Sequence, residues 1–159
     1  MKTYAQIFIF FSISSPVLAA DAVREIEQTM QAYAQAWSSH DPAAVAGFYH
    51  EPAMRVSAEG PAVRQTRGDQ EVFFTGFLAG LVSRGYDKSA WEKLYVHLLD
   101  GNTAVVSGVT VRSRADGELF ERVAITYLLW NTTDGWKIFL STTHSPETVL
   151  QSPSDRAGY

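Results

Sequence analysis

The stretch Trp91–Thr143, WEKLYVHLLDGNTAVVSGVTVRSRADGELFERVAITYLLWNTTDGWKIFLSTT, decides the fold. It is rich in Val, Ile, Leu, Thr, Tyr and Trp, side chains that pack well on a pleated surface. Asp100-Gly101, Asp116-Gly117 and Asp134-Gly135 divide it into four runs. Asp-Gly between such runs signals a hairpin, because glycine accepts the positive φ that a tight primed turn demands. The spacing predicts four long strands in an antiparallel meander: Trp91–Leu99, Thr103–Arg114, Glu118–Trp130 and Trp136–Thr143.

Upstream the period changes. Val23, Ile26, Met30, Tyr33 and Trp37 recur at steps of three and four, one stripe of an amphipathic helix over Asp21–Trp37 with Asp21 placed to cap it. Asp41-Pro42 predicts a second helix, running to about Tyr49 and stopped by Glu51-Pro52. Met54–Ala58 reads as a short strand closed by Glu59-Gly60-Pro61. A third helix is expected from a cap at Asp69 to Arg84, burying Val72, Phe73, Phe77, Leu81 and Val82, with Gly76 and Gly80 admitting a close neighbour. Both layers bury their apolar faces if three N-terminal helices pack on the concave face of a strongly curved antiparallel sheet. The fold class is then α+β, with a cavity between the first helix and the sheet.

Composition bounds the function. The 159 residues are 46% hydrophobic and 19% charged, which suits one globular domain. A net charge of −4 with scattered Lys and Arg excludes a nucleic-acid partner, which needs a clustered positive field, and gives little attraction to anionic membranes. With no cysteine there is no disulfide framework and no thiolate. At the N-terminus, Lys2, the apolar run Ile7–Ile13 and the small residues of Val17-Leu18-Ala19-Ala20 follow the order of an export signal. Residues 1–20 are therefore read as a signal peptide cleaved after Ala19 or Ala20, leaving 12 basic and 17 acidic residues, a net of −5, with a buried N-terminal strand or helix as the plainer reading. The protein is expected outside the cytoplasm, periplasmic or secreted, as a domain over residues 21–145 with a flexible tail over 146–159.

The order of elements and several strings resemble the nuclear transport factor 2-like superfamily, which includes SnoaL-like cyclases, ketosteroid isomerases and limonene epoxide hydrolases. The strings are Tyr33-Ala34-Gln35-Ala36-Trp37, then Asp41-Pro42-Ala43-Ala44-Val45-Ala46-Gly47-Phe48-Tyr49, Arg67-Gly68, and Asp134-Gly135-Trp136-Lys137-Ile138. The resemblance covers about Asp21 to Ser145. It implies a cone-shaped fold and a homodimer through the outer sheet face. Compared with the ketosteroid isomerases, the pocket tyrosine falls on Tyr33. The general-base aspartate falls on Ser57 or Ala58, and the second oxyanion donor on Thr126. Neither position holds a carboxylate, so that isomerisation is not expected. The arginine and paired aspartates of the epoxide hydrolases have no counterpart.

The same register puts His144 in the pocket near the end of the last strand, sharing a face with Trp136, Ile138, Leu140 and Thr142. On the preceding strand Arg122, Ala124, Thr126 and Leu128 would share it. Tyr33 as donor and His144 as base then form the candidate catalytic pair, with Trp37, Arg122, Thr126 and Leu140 as ligand-binding residues. Each has a plainer reading: Tyr33 and Trp37 as core, His144 as a polar filler at the strand end, and Arg122 paired with Glu118 or Glu121. His97 reads as structural. His40, His50, His97 and His144 show no metal-ligand spacing, and no Gly-rich phosphate loop follows a strand, so neither metal nor cofactor is expected. Two readings stay open. One is cofactor-free acid–base chemistry on a small apolar or carbonyl-bearing molecule. The other is a non-catalytic ligand-binding or dimeric interaction module.

Overall fold

In the computed structural model, which describes residues 16–151, two of the three Asp-Gly turns take the positive φ expected of them, while Gly101 does not and Asp100–Asn102 forms an open bend. Gly117 and Gly135 take φ of 88° and 87°. The meander comprises β3 (Lys88–Leu98), β4 (Thr103–Ser113), β5 (Leu119–Thr132) and β6 (Gly135–His144), each antiparallel to the next. Register shifts at Trp91/Lys93, Arg112/Ser113 and Leu128/Leu129 are bulges, which bend and twist a sheet.

Two further strands complete a curved six-stranded sheet in the order β2-β1-β6-β5-β4-β3. β1 (Tyr49–Ser57) runs parallel to β6, and β2 (Gly60–Arg64) returns antiparallel to β1 through Gly60 at φ 107°. The expected single strand over Met54–Ala58 is thus half of a hairpin. Glu51-Pro52, expected to end a helix, lies inside β1. Proline lacks an N–H for the ladder, and it is accommodated because β1–β6 pairing is interrupted between Tyr49 and Met54.

The helices are α1 (Pro16–Ser38), α2 (Pro42–Ala46) and α3 (Arg67–Ser83). α1 buries Ile26, Met30, Tyr33 and Trp37 as its period dictates. Asp21 does not cap it but lies within it, 3.8 Å from Arg24. α1 lies along β3, where Trp91 Nε1 donates to the Met30 carbonyl at 2.9 Å. α2 is a single turn capped by Asp41 and ended at Gly47, well short of Tyr49. The three expected helices are therefore not one N-terminal layer: α2 is five residues long, and the β1–β2 hairpin precedes α3.

α3 starts at Thr66, whose side chain accepts from Asp69 N–H while the Asp69 carboxylate accepts from Thr66 N–H. Asp69 thus closes a capping box and is not the cap. Its buried ladder is Gln70, Phe74, Leu78 and Leu81, so Val72, 76% exposed, and Val82 face outward, contrary to expectation. Gly76 and Gly80 face open space and admit no close neighbour. The α1 and α3 faces meet Ala104, Val106, Tyr127, Leu129, Trp136 and Ile138 from the inner sheet face in one core.

The tail expected to be flexible from Pro146 is held against the sheet over its first residues. Pro146–Thr148 forms a 3-10 turn, and Leu150 N–H donates to Ser107 Oγ at 3.1 Å. Of the segment read as an export signal, Pro16–Ala20 open α1 and residues 1–15 lie outside the described residues, as do 152–159 of the tail.

Candidate functional site

On its inner face the sheet leaves a cavity of about 90 Å³ beside α1 and α3. Tyr33 and Trp37 of α1, Phe73, Phe74 and Phe77 of α3, Tyr49 of β1 and Tyr127 of β5 form an aromatic wall. Val123, Ile125, Ser141 and Thr143 floor it. The rings interlock edge to face, Tyr33 with Tyr127 at 5.8 Å and Trp37 with Phe77 at 5.8 Å between centroids. This geometry favours aromatic pairs and holds the wall rigid.

The polar groups are few. Tyr33 Oη and Tyr49 Oη lie 2.8 Å apart. Burial, the largest cause, pushes the phenols of Tyr33, Tyr49 and Tyr127 well above the ordinary value near 10. At neutral pH they are protonated and serve as hydrogen-bond donors, not bases. Two arginines complete the lining. Arg112, only 6% exposed, gives Nη1 to Glu121 Oε1 at 2.5 Å, while its buried Nε has no partner. Arg55 stacks over Phe73 and Phe77, its Cζ 5.6 and 5.3 Å from the ring centroids. Among the described residues that line the cavity there is no Asp, Glu, His or Cys.

Of the candidates read from the sequence, Tyr33 and Trp37 line the cavity. The rest do not. Thr126 and His144 meet on the outer face of the sheet, with Thr126 Oγ1 2.8 Å from His144 Nε2 and 2.8 Å from Ser107 Oγ. His144 Nδ1 faces the Ser145 carbonyl and Thr148 Oγ1, each at 3.1 Å. The expected convergence of Tyr33 with Thr126 and His144 is therefore corrected: the sheet separates them. Arg122 is also on the outer face, and it grips Glu92 through Nε at 2.8 Å and Nη2 at 2.6 Å. It pairs with neither Glu118 nor Glu121, the latter belonging to Arg112. Leu140 pairs with Leu128 and shares its outward side.

One inserted residue accounts for the error on β6. Leu128 pairs with Leu140 and Leu129 with Ile138, which leaves Phe139 as the extra residue of a bulge. Before it Trp136 and Ile138 face inward, and after it Ser141 and Thr143 do. Carrying the alternation unbroken to His144 turned that residue the wrong way. On β5 the signal was present, because Val123, Ile125, Tyr127 and Leu129 set the larger apolar side chains on odd positions. Arg55 and Arg112 carry no local mark. Ser57, where the isomerase base falls, donates from Oγ to Glu59 at the β1–β2 turn and does not line the cavity.

Solved structures share this architecture. An NTF2-like protein with a cystatin-like fold from Novosphingobium aromaticivorans superposes with a TM-score of 0.67 at 18% identity, covering 92% of this chain and 97% of that one. An NTF2-like protein of unknown function from Shewanella oneidensis gives 0.63 at 19% identity, covering 77% and 98%. A domain of unknown function with a cystatin-like fold from Nostoc punctiforme gives 0.63 at 15%, covering 90% and 83%. At these identities the likeness is one of fold. No curated protein sequence matches this chain. Residues 24–146 match the family described as NTF2-like protein (DUF6841), and the chain belongs to that family.

Proposed function

We propose that this protein is a binding module for a small, largely apolar molecule, held in the inner-face cavity without chemical turnover. The observation that carries the reading is the aromatic wall of Tyr33, Trp37, Tyr49, Phe73, Phe74, Phe77 and Tyr127 around a cavity of about 90 Å³. At about 30 Å³ of liquid per water, that space holds roughly three waters and suits a ligand no larger than a single ring or short chain. A site lined by rigid apolar groups with few polar ones is the ordinary make-up of a small-molecule pocket.

Acid–base chemistry is the weaker reading. Tyr33 could donate to a carbonyl oxygen, but a proton abstraction also needs a base within reach of the carbon. The lining groups are phenols, hydroxyls and guanidiniums, none of which takes up a proton at neutral pH. The same proposal includes export after cleavage near Ala20 and pairing of two chains through the outer sheet face. N-terminal sequencing of exported protein and sedimentation at micromolar concentration test those two parts.

The binding reading is tested by native mass spectrometry of the purified protein and by titration with small aromatic probes followed through tryptophan fluorescence. Saturable binding is expected in the wild type, and its loss in Thr143→Trp, which fills the space. Equal binding by both proteins would remove the cavity from consideration.

A further inference from the structure

We propose that the occupant is an organic carboxylate, its apolar body against the aromatic wall and its carboxylate between Arg55 and Arg112. The inference rests on the reading of the cavity as a binding site and adds the ligand's charge. Three observations carry it. First, the charged side chains lining the cavity are both cations, in a chain whose net charge is −4. Second, each cation lies against a ring of the wall, and the two rings are neighbours. Trp37 and Phe77 are 5.8 Å apart, with Arg112 Cζ 5.3 Å from the Trp37 centroid and Arg55 Cζ 5.3 Å from that of Phe77. Third, their hydrogen-bonding capacity is largely unspent. Arg112 uses Nη1 on Glu121 and leaves its buried Nε without a partner. Arg55 makes no hydrogen bond or ion pair with a described residue.

Positive charge is also crowded here. Arg64 stacks over Phe73 at 3.6 Å, beside Arg55. Burial first, and then the Arg55 charge, lower the Arg64 pKa. Like charges gathered at an apolar wall repel one another, and an anion between them relieves that repulsion. Guanidinium suits the task because its planar fork matches two carboxylate oxygens, and each such bond is charge-assisted. The phenols of Tyr33 and Tyr49 share one hydrogen bond, so one of them keeps its proton as a neutral donor within the same cavity. A carboxylate fits the combination better than an inorganic anion, which would leave the seven rings unused. A neutral aromatic would use the rings and leave the Arg55 guanidinium, which lines the cavity without an ion-pair partner among the described residues, with no counter-charge.

The test compares two probes with the same ring, benzoate and benzyl alcohol, titrated by calorimetry at low ionic strength and neutral pH. Benzoate is expected to bind roughly tenfold or more tightly than benzyl alcohol, and to weaken as salt is added. Arg55→Gln should cost benzoate about tenfold and leave benzyl alcohol within about twofold. Thermal unfolding establishes that this variant is folded. Because Arg112→Gln alone would strand Glu121, the double substitution Arg112→Gln with Glu121→Gln serves as the second variant, with the same expected outcome. Benzyl alcohol binding as tightly as benzoate would overturn the carboxylate assignment and leave the apolar cavity intact. Neither probe binding to the folded wild type would overturn the underlying cavity reading as well.

Discussion

Thr126 Oγ1 lies 2.8 Å from His144 Nε2 on the outer face of the sheet, as the middle link of one directed hydrogen-bond chain. The direction follows from its ends. The Ser145 carbonyl can only accept, so it assigns the proton to His144 Nδ1 and leaves Nε2 as the acceptor for the Thr126 hydroxyl. Leu150 N–H can only donate, so Ser107 Oγ accepts from it and passes its own proton toward Thr126. Five groups from β4, β5, β6 and the C-terminal segment are thereby tied together with every donor matched. The chain fastens residues 145–150 to the sheet.

His144→Ala should therefore act on the tail and not on the cavity. Loss of one part-buried and two exposed hydrogen bonds costs about 1–2 kcal/mol, readable as a lower urea midpoint. Limited proteolysis should reach Pro146–Leu150 sooner than in the wild type. Affinity for an aromatic probe should stay within about twofold. A loss of probe binding as large as that caused by a cavity substitution would mean that the two faces are coupled, contrary to this reading.

The phenol pair inside the cavity lends itself to a double-mutant cycle. Tyr33→Phe leaves the Tyr49 hydroxyl buried without its 2.8 Å partner, and Tyr49→Phe does the reverse. Each single change should destabilise by about 1–3 kcal/mol. The double change removes both hydroxyls, so its cost should fall short of the sum by about 1 kcal/mol or more. Strict additivity in chemical denaturation would show that the two hydroxyls do not depend on each other.

What the sequence yields and what it withholds divide along the range of the interactions involved. Asp116-Gly117, the stripe from Ile26 to Trp37 and the Asp41-Pro42 cap are local signals, decided within one turn or one helix, and each appears where expected. Tyr33 and Trp37 reach the cavity because that stripe has only one side to bury. The face of β5 is marked by its own larger apolar side chains on odd positions, but that of β6 depends on a register carried across many residues, and the extra residue Phe139 inverts it. Arg55 and Arg112 stayed invisible for another reason. Their place beside Phe77 and Trp37 depends on four elements meeting, and no spacing along the chain encodes that.

Close approach inside the sheet yields a prediction at Gly108 of β4. A Cβ added there would stand 2.5 Å from the Lys93 carbonyl oxygen and 2.9 Å from the Trp91 ring. Both belong to the bulged part of β3, where the pairing register shifts between Trp91 and Lys93. Neither can withdraw easily, because one is backbone and the other is anchored through Nε1 to the Met30 carbonyl. Gly108→Ala should cost about 1–3 kcal/mol or more by overpacking, against a gain of about 0.5–1 kcal/mol for Gly76→Ala, which faces open space inside α3. Equal thermal midpoints for the two variants would mean that β3 does not press on β4 at this point.

Alkaline pH should loosen the cavity wall. In the unfolded chain a phenol titrates near 10, whereas burial raises the folded-state values of Tyr33, Tyr49 and Tyr127. Between the two values the folded protein keeps protons that the unfolded chain has released. Stability is therefore fully present below about pH 10 and declines as pH rises further. Each such phenol contributes a slope of about 1.4 kcal/mol per pH unit, and three acting together about 4 kcal/mol per unit. Urea unfolding at several pH values above 9 measures that slope directly. In Tyr33→Phe with Tyr49→Phe, Tyr127 still titrates, as does Tyr86, whose phenol burial also raises, so the slope should fall by about 3 kcal/mol per pH unit, the share of two phenols, while the stability below pH 9 shifts by a constant. Were phenolate absorbance to appear in full near pH 10 with the fold intact, the three hydroxyls would be solvated, and the dry aromatic wall on which the binding proposal stands would be lost with them.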